Sequence, residues 1–136
     1  MKMSERNNYE TLEETYPEVK KMSFMNKGFD YIYVNDKNIC IRIEHKYRSK
    51  NVKFDITPAQ EELADIFALR THTDRHYFMT KKQYLELSKP HSSLASGWRG
   101  KSREISQKDF IENSTTNLYD IVNSIDNKVI NLENFM

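Results

Sequence analysis

The sequence predicts an α/β fold in which a mixed β-sheet is flanked by helices. Apolar and polar residues alternate over residues 39–46, as in a β-strand. Residues 8–19 and the residues after Thr57 instead place apolar side chains at helical spacing. Strands and helices therefore interleave along the 136 residues, in the predicted order α-β-β-β-α-β-α-α. This length is typical of a single domain.

The N-terminal third is predicted to form a helix and then a β-hairpin. The helix covers residues 8–19, or ends near Thr15 because Pro17 weakens its last turn, and its apolar stripe consists of Tyr9, Leu12, Tyr16 and Val19. Residues 28–34 are aromatic and β-branched, which favours a strand. Residues 35–38 (NDKN) have turn chemistry and lead into the strand at 39–46, so the two strands are expected to pair.

A basic loop and a short strand are predicted within residues 47–56, followed by a helix that begins at Thr57. Thr57 and Gln60 match a capping box, and Pro58 suits the first helical position. The buried face of this helix is assigned to Leu63, Ile66 and Phe67.

The remaining elements are a strand, a short helix, a loop and a final helix. The strand covers residues 76–79, and a second capping box precedes a helix that ends before Pro90. Residues 88–103 lack periodicity and are predicted to be a mobile basic loop. A last helical stripe consists of Leu118, Ile121, Val122 and Ile125. The predicted single domain has its core at about residues 8–87, the basic loop at 88–103 and a C-terminal helical segment at 104–136.

Composition and charge exclude several classes of protein. No apolar run approaches the roughly 20 residues that span a bilayer, so no membrane partner is expected. The N-terminus lacks an apolar signal region, and the single Cys40 fits a reducing compartment, so a cytoplasmic location is expected. Residues 20–60 and 80–103 each carry a net charge of +5. If these stretches share a face they form a surface for a polyanion, and otherwise they are solvated lysines.

The polar side of the predicted strand at 39–46 contains a candidate site. Glu44 and Lys46 lie on one face because side chains two residues apart point the same way. Asp30 is expected opposite Glu44 if the hairpin turns at residues 35–38. Two carboxylates on one face suit a hard divalent cation, and a nearby lysine can stabilise phosphate charge. The alternative is a solvated face of an edge strand with a cross-strand ion pair.

The sequence resembles the PD-(D/E)XK nuclease motif, because Asp30 is followed by thirteen residues and then by Glu44-His45-Lys46. The similarity extends through residues 28–70 and is to archaeal-type Holliday junction resolvases and related small restriction-endonuclease-like enzymes. The resemblance implies that Asp30 and Glu44 bind Mg²⁺, with Mn²⁺ able to substitute, and that Lys46 completes the catalytic site. It also implies catalytic roles for Gln60 and for an acidic residue of the first helix, for which Glu13 is chosen. Gly28-Phe29 and His45 depart from the usual motif.

The resemblance implies a metal-dependent endonuclease acting on structured or duplex DNA as a homodimer, whose apolar contact is assigned to the helix at 118–125. Phosphate contacts are assigned to Arg48, Lys50, Lys53, Arg99, Lys101 and Arg103. Trp98 is either free to stack on a base or buried as an anchor of its loop. The alternatives are an RNA- or single-strand-specific nuclease, a non-catalytic nucleic-acid-binding module, and a structural adaptor without divalent-metal binding.

Overall fold

The structure is a computed structural model that describes residues 11–22, 28–35, 39–73, 75–98 and 100–125. Its α-helices are α1 (Leu12–Thr15), α2 (Pro58–Leu63), α3 (Lys81–Leu87), α4 (Gln107–Glu112) and α5 (Tyr119–Val122). Its strands are β1 (Val19–Lys21), β2 (Tyr31–Val34), β3 (Cys40–Tyr47), β4 (Phe54–Ile56), β5 (Ile66–Arg70), β6 (His76–Thr80), β7 (Lys89–Pro90) and β8 (Arg103–Ile105). A 3₁₀ helix covers Ser92–Ser96. Among the described helices, none is both long and apolar enough to cross a lipid bilayer.

Five strands form the main sheet in the order β1-β2-β3-β5-β6. β3 and β5 run parallel, and the other neighbouring pairs are antiparallel. The chain between β3 and β5 passes through β4 and α2, because parallel neighbours need a crossover. β3 therefore lies in the middle of the sheet, with a strand on each side.

Both faces of the main sheet are covered. On one face its side chains pack with Leu12 of α1 and with Leu118 and Val122 around α5. On the other face they pack with Tyr84 of α3, Phe110 of α4 and the small antiparallel sheet β4-β8-β7. The predicted fold class, a mixed β-sheet flanked by helices, is confirmed.

The predicted hairpin is present, since β2 pairs antiparallel with β3 and Asn35 accepts a hydrogen bond from the Ile39 N–H. Residues 36–38 of its turn lie outside the described residues. The helix predicted at 8–19 does not reach residue 19, whereas the alternative end near Thr15 is confirmed. In the described part the helix covers Leu12–Thr15, and Val19 begins the edge strand β1. The sequence did not predict β1, because three residues are too few to show an alternation of apolar and polar side chains.

The assignment of Ile66 and Phe67 to a helix face is wrong, because α2 ends at Leu63 and both residues belong to β5. β5 is buried on both faces, and such a strand has a continuous apolar run instead of alternation. A short apolar run after a helix cannot be distinguished from another helical turn by periodicity. An ion pair fixes the turn before β5, because Arg42 of β3 binds the Asp65 carboxylate at 3.0 Å.

The segment at 88–103 is more ordered than predicted, since it contains β7, the 3₁₀ helix and the first residue of β8. The interior also extends beyond the predicted core of residues 8–87, because Phe110 is fully buried. Leu118, Val122 and Ile125 are buried in the chain's own core. The assignment of a dimer contact to the helix at 118–125 is therefore wrong, since its apolar stripe is already covered.

Candidate active site

Asp30 and Glu44 come together through the pairing of β2 with β3. Tyr31 lies opposite Ile43, which places Asp30 opposite Glu44 across the hairpin. The Asp30 N–H donates to the Ile43 carbonyl at 2.8 Å, and the Asp30 carboxylate accepts from the His45 N–H at 3.0 Å. These two bonds hold the Asp30 carboxylate against β3, in the position that the hairpin prediction required.

Gly28 allows the chain before Asp30 to approach α2 closely. A Cβ atom at Gly28 would lie 2.6 Å from the Leu63 Cβ atom and 2.9 Å from the Ala59 carbonyl oxygen. Real Cβ atoms do not approach other heavy atoms that closely, so a side chain here would push the segment away from the helix. Gly28 therefore contributes to the placement of Asp30 through packing.

Glu44 and Lys46 form a buried ion pair on β3. The Lys46 ammonium lies 3.5 Å from a Glu44 carboxylate oxygen, and the two side chains are 9% and 7% exposed. β3 has neighbours on both sides, so the alternative of a solvated edge-strand face is wrong. Burying both charges is costly unless the surroundings compensate, which is why such a pair inside a sheet indicates a functional site.

The surroundings of Glu44 disfavour the ionised form of its carboxyl group. Burial and the neighbouring Asp30 charge raise the pKa of Glu44 to about 7, against the opposing attraction of Lys46. Burial also lowers the pKa of Lys46, although the Glu44 charge works in the opposite direction. One lysine therefore does not neutralise the two carboxylates, and an additional positive charge at this position would stabilise them.

The donor atoms of this site fit a magnesium ion. Magnesium in phosphoryl-transfer sites is usually held by one or two carboxylates together with waters and substrate phosphates. Asp30 and Glu44 supply two such carboxylates. In the described part of the chain, no group of three or more His, Cys, Asp or Glu side chains is arranged to hold a metal. The residues therefore suit an ion that shares its coordination with a substrate better than an ion enclosed by protein.

Glu13 on α1 lies close to the same end of the sheet. The Tyr31 hydroxyl hydrogen-bonds to Glu13, and burial together with the charges of Glu13 and Asp30 raises the pKa of Tyr31 to about 12. Tyr31 therefore stays neutral, and its hydroxyl connects Glu13 to the start of β2, directly after Asp30. The catalytic role of Glu13 stays a prediction. Tyr31 was not among the predicted site residues. The sign of its role in the sequence was its position directly after Asp30.

The Gln60 side chain is engaged in the capping box of α2. Its carboxamide oxygen accepts from the Thr57 backbone N–H at 2.9 Å, and the Gln60 backbone N–H donates to the Thr57 hydroxyl at 3.2 Å. Within the described residues, the first of these is the hydrogen bond of the Gln60 side chain, and it does not join Gln60 to Glu44 or Lys46. A catalytic role for Gln60 stays a prediction.

His45 lies on the face of β3 opposite to Glu44 and Lys46. It is packed in the middle of the sheet between the rings of Tyr31 and His76. Burial, His76 and Arg70 lower the pKa of His45 to about 3, so it is neutral at physiological pH. His45 thus carries no charge next to the carboxylates.

A second polar cluster, missed by the sequence analysis, borders Lys46. We call it the Asp55–Glu104 network, because these two residues face each other across β4 and β8. Asp55 contacts Arg48 at 3.1 Å and Lys101 at 3.4 Å. Glu104 contacts Lys53 at 3.3 Å, and the His91 ring lies within 3.6 Å of both carboxylates. The residues are about 50 positions apart in sequence, so no local pattern could join them.

The residues predicted to bind phosphates have different surroundings. Arg48, Lys53 and Lys101 belong to the Asp55–Glu104 network, and Lys50 is exposed in the turn before β4. The Arg103 guanidinium hydrogen-bonds to the Ser88 carbonyl at 2.8 Å and to the Ser88 hydroxyl at 2.7 Å, at the end of α3. Arg99 lies outside the described residues.

Comparisons with known proteins give a weak structural similarity. No family model matches the chain, and no curated protein matches it. Among solved structures, it is similar to the Holliday junction resolvase Hjc of the archaeal hyperthermophile Archaeoglobus fulgidus. The two chains are 13% identical, with a TM-score of 0.49, and the match covers 71% of this chain and 81% of the resolvase. A similarity of this size does not carry a function, so the site itself must do so.

Proposed function

We propose that this protein is a metal-dependent endonuclease that hydrolyses phosphodiester bonds of structured or duplex DNA. The observation that carries the proposal is the buried Glu44–Lys46 pair beside Asp30, in the middle of the main sheet. A surface ion pair has no need of burial, whereas a site that stabilises a charged transition state gains from a low dielectric.

Each residue has a defined role in this proposal. Asp30 and Glu44 would hold Mg²⁺, for which Mn²⁺ can substitute, and the ion would supply an activated water and neutralise charge on the phosphate. Lys46 orients the attacking water and stabilises the developing negative charge. The bonds from the backbone to Asp30 fix its carboxylate before substrate arrives, which limits the reorganisation that the reaction requires. Glu13 and Gln60 are proposed to assist from α1 and α2.

The proposed partners are DNA and a second copy of the chain. Six basic residues are proposed to contact phosphates without recognising the base sequence: Arg48, Lys50, Lys53, Arg99, Lys101 and Arg103. Because these contacts are electrostatic, binding weakens as the salt concentration rises. Cutting both strands of a duplex or junction needs two sites, which a two-fold dimer provides. A cytoplasmic location is proposed with this activity.

Two other functions use the same surface. The first is a nuclease specific for RNA or single strands, since the same pair of carboxylates serves any phosphodiester backbone. The second is a nucleic-acid-binding module without turnover. The placement of Glu44 favours catalysis over binding alone, because a buried carboxylate opposite a second carboxylate would serve no purpose in a module that only holds phosphates.

The test is cleavage of labelled linear duplex, single-stranded DNA, four-way junction and RNA in Mg²⁺ or Mn²⁺. Wild type is compared with Glu44→Ala, and an inactive preparation is checked for folding by circular dichroism. We expect metal-dependent cleavage that the variant lacks, with the junction or duplex preferred. Preference for RNA or single strands would move the assignment to the first alternative. Binding without cleavage by folded wild type would overturn the nuclease and leave the binding module.

A further inference from the structure

Trp98 is an exposed aromatic residue beside the proposed active site. It is the only tryptophan of the sequence, and its exposure of 52% is the highest among the large apolar residues that the structure describes as exposed. The prediction that Trp98 anchors its loop by burial is therefore wrong, and the alternative of a ring available for stacking is favoured.

The indole ring is held in place although it is exposed. A methyl group at Gly100 would overlap its six-membered ring at Cζ2 and Cη2, so the ring packs against the Gly100 backbone. The backbone turns into Trp98 at Gly97, whose φ of +88° favours glycine. The backbone at Trp98 is fixed as well, because its main-chain N–H donates to the Ser93 carbonyl at 3.3 Å. A ring fixed in this way loses little conformational entropy when a ligand stacks on it.

His91 connects Trp98 to the Asp55–Glu104 network. The two rings meet edge to face, with their centroids 6.4 Å apart. The His91 Nδ1 atom accepts from the Ser93 N–H at 3.1 Å, while its Nε2 atom lies 3.6 Å from the Asp55 carboxylate. His91 is therefore fixed at both nitrogens and supports the indole from the side.

The same network connects Trp98 to the catalytic lysine. Asp55 and Lys101 both act electrostatically on Lys46, and Lys101 contacts Asp55 at 3.4 Å. The indole is thus linked through His91, Asp55 and Lys101 to the surroundings of Lys46, where the substrate phosphates are proposed to bind. An aromatic ring beside basic residues is the arrangement by which proteins bind unpaired nucleotides, the base on the ring and the phosphates on the cations.

We propose that Trp98 stacks on an unpaired base of the nucleic acid next to the phosphates bound at Glu44 and Lys46. The inference rests on the proposed function and adds a preference for substrates with an unstacked base near the cleaved bond. A four-way junction, a branch point or a single strand presents such a base, whereas a continuous duplex does not.

The test uses the emission of Trp98, which reports on this position alone because no other tryptophan is present. The wild-type protein without divalent metal is titrated with a fluorescein-labelled oligothymidylate of about 12 nucleotides, a length within known single-strand site sizes. An abasic oligonucleotide with the same number of phosphates is the control, and anisotropy of the label measures binding of both. We expect the thymidylate to quench Trp98 emission by about half or more, and the abasic strand to bind with little quenching.

Three variants sharpen the test. Trp98→Ala should reduce thymidylate affinity by roughly tenfold while leaving abasic affinity unchanged, and Trp98→Phe should retain most of the difference. Gly100→Ala should reduce the quenching, because the added methyl group displaces the ring. Tyr119→Ala removes an exposed aromatic residue that packs against Tyr16, and should change neither affinity.

The outcomes separate this inference from the nuclease proposal. Metal-dependent cleavage with equal quenching by both strands, or with none, would overturn the stacking role and leave the nuclease. Selective quenching without cleavage of any substrate would support stacking and overturn catalysis. Failure of both strands to bind would also reject the stacking role.

Discussion

Two neighbouring clusters of charged residues in this molecule differ in the ratio of acidic to basic side chains. In the Asp55–Glu104 network each carboxylate meets at least two basic side chains. Although burial alone would raise it, the pKa of Asp55 is lowered, because Arg48 and Lys101 stabilise its charge. In the active-site cluster Glu44 contacts Lys46 but also lies next to the Asp30 carboxylate, and burial together with the Asp30 charge raises the pKa of Glu44 to about 7.

The difference separates a network that balances its own charges from a cluster whose carboxylates an added cation would stabilise. The network satisfies its own charges and so stabilises the contact between β4 and β8. The active-site cluster lacks positive charge in the folded chain, and a cation supplied from solution would balance it. Identical residue types thus have different roles, because the ratio of acidic to basic partners differs between the clusters.

The largest expected effect comes from Glu44→Gln, which keeps the shape of the side chain and removes its charge. We expect cleavage to fall about 10³-fold, on the scale of removing a group that stabilises the transition state. Single-turnover cleavage of the preferred substrate measures it. Retention of more than a tenth of the wild-type rate would contradict the role of Glu44.

The matched change in the network is Glu104→Gln, which should act on stability. Glu104 is 3% exposed, and losing its charge leaves His91 and Lys53 without one partner. We expect the free energy of unfolding to fall by about 2 kcal/mol. Urea denaturation measures this, and the cleavage rate of the folded variant should stay within a few-fold of wild type. A loss of activity as large as that of Glu44→Gln would erase the distinction between the clusters.

Magnesium affinity should depend on pH around neutrality. The metal binds the ionised Glu44, whose pKa is about 7, so affinity at pH 6 should be about tenfold weaker than at pH 8. Without metal, the folded protein holds this proton more tightly than the unfolded chain. Glu44 therefore lowers the stability of the metal-free protein as pH rises from about 4.5 to 7.

Calorimetric titration with Mg²⁺ at the two pH values measures the affinity. Asp30→Asn supplies the control, because it removes the neighbouring charge and should lower the pKa of Glu44, as followed by NMR of the carboxyl carbon. Equal affinity at pH 6 and 8 would mean that Glu44 is already ionised at pH 6.

The smallest expected effect is a change in the salt dependence of DNA binding. Lys50 is exposed, whereas Lys101 contacts Asp55 within the network. Lys50→Ala should reduce the slope of log affinity against log salt by about 1, and Lys101→Ala should reduce it by less, because Lys101 is already partly neutralised. Binding of a labelled duplex at several salt concentrations measures both. A larger change for Lys101 would show that substrate displaces Asp55 from it.

The sequence predicted the hairpin and the placement of Asp30 beside Glu44, because strand alternation and a polar turn are local signals. It did not predict β5, whose apolar run continues from a helix. The Asp55–Glu104 network was also missed, because it depends on pairing between residues about 50 positions apart. Lys46 lies between the two clusters, so its surroundings could not be predicted from the motif alone.

The order of β4 and β8 along the chain also affects synthesis on the ribosome. Asp30, Glu44 and Lys46 have all been translated once residue 46 is added, while β8 follows at Arg103–Ile105. β8 pairs with β4 and carries Glu104, so the flank of Lys46 closes only after β8 has left the exit tunnel. Domains generally fold as units during translation. A growing chain with a complete motif therefore lacks the flank that β8 completes, and the proposed cutting activity is withheld until β8 has been synthesised.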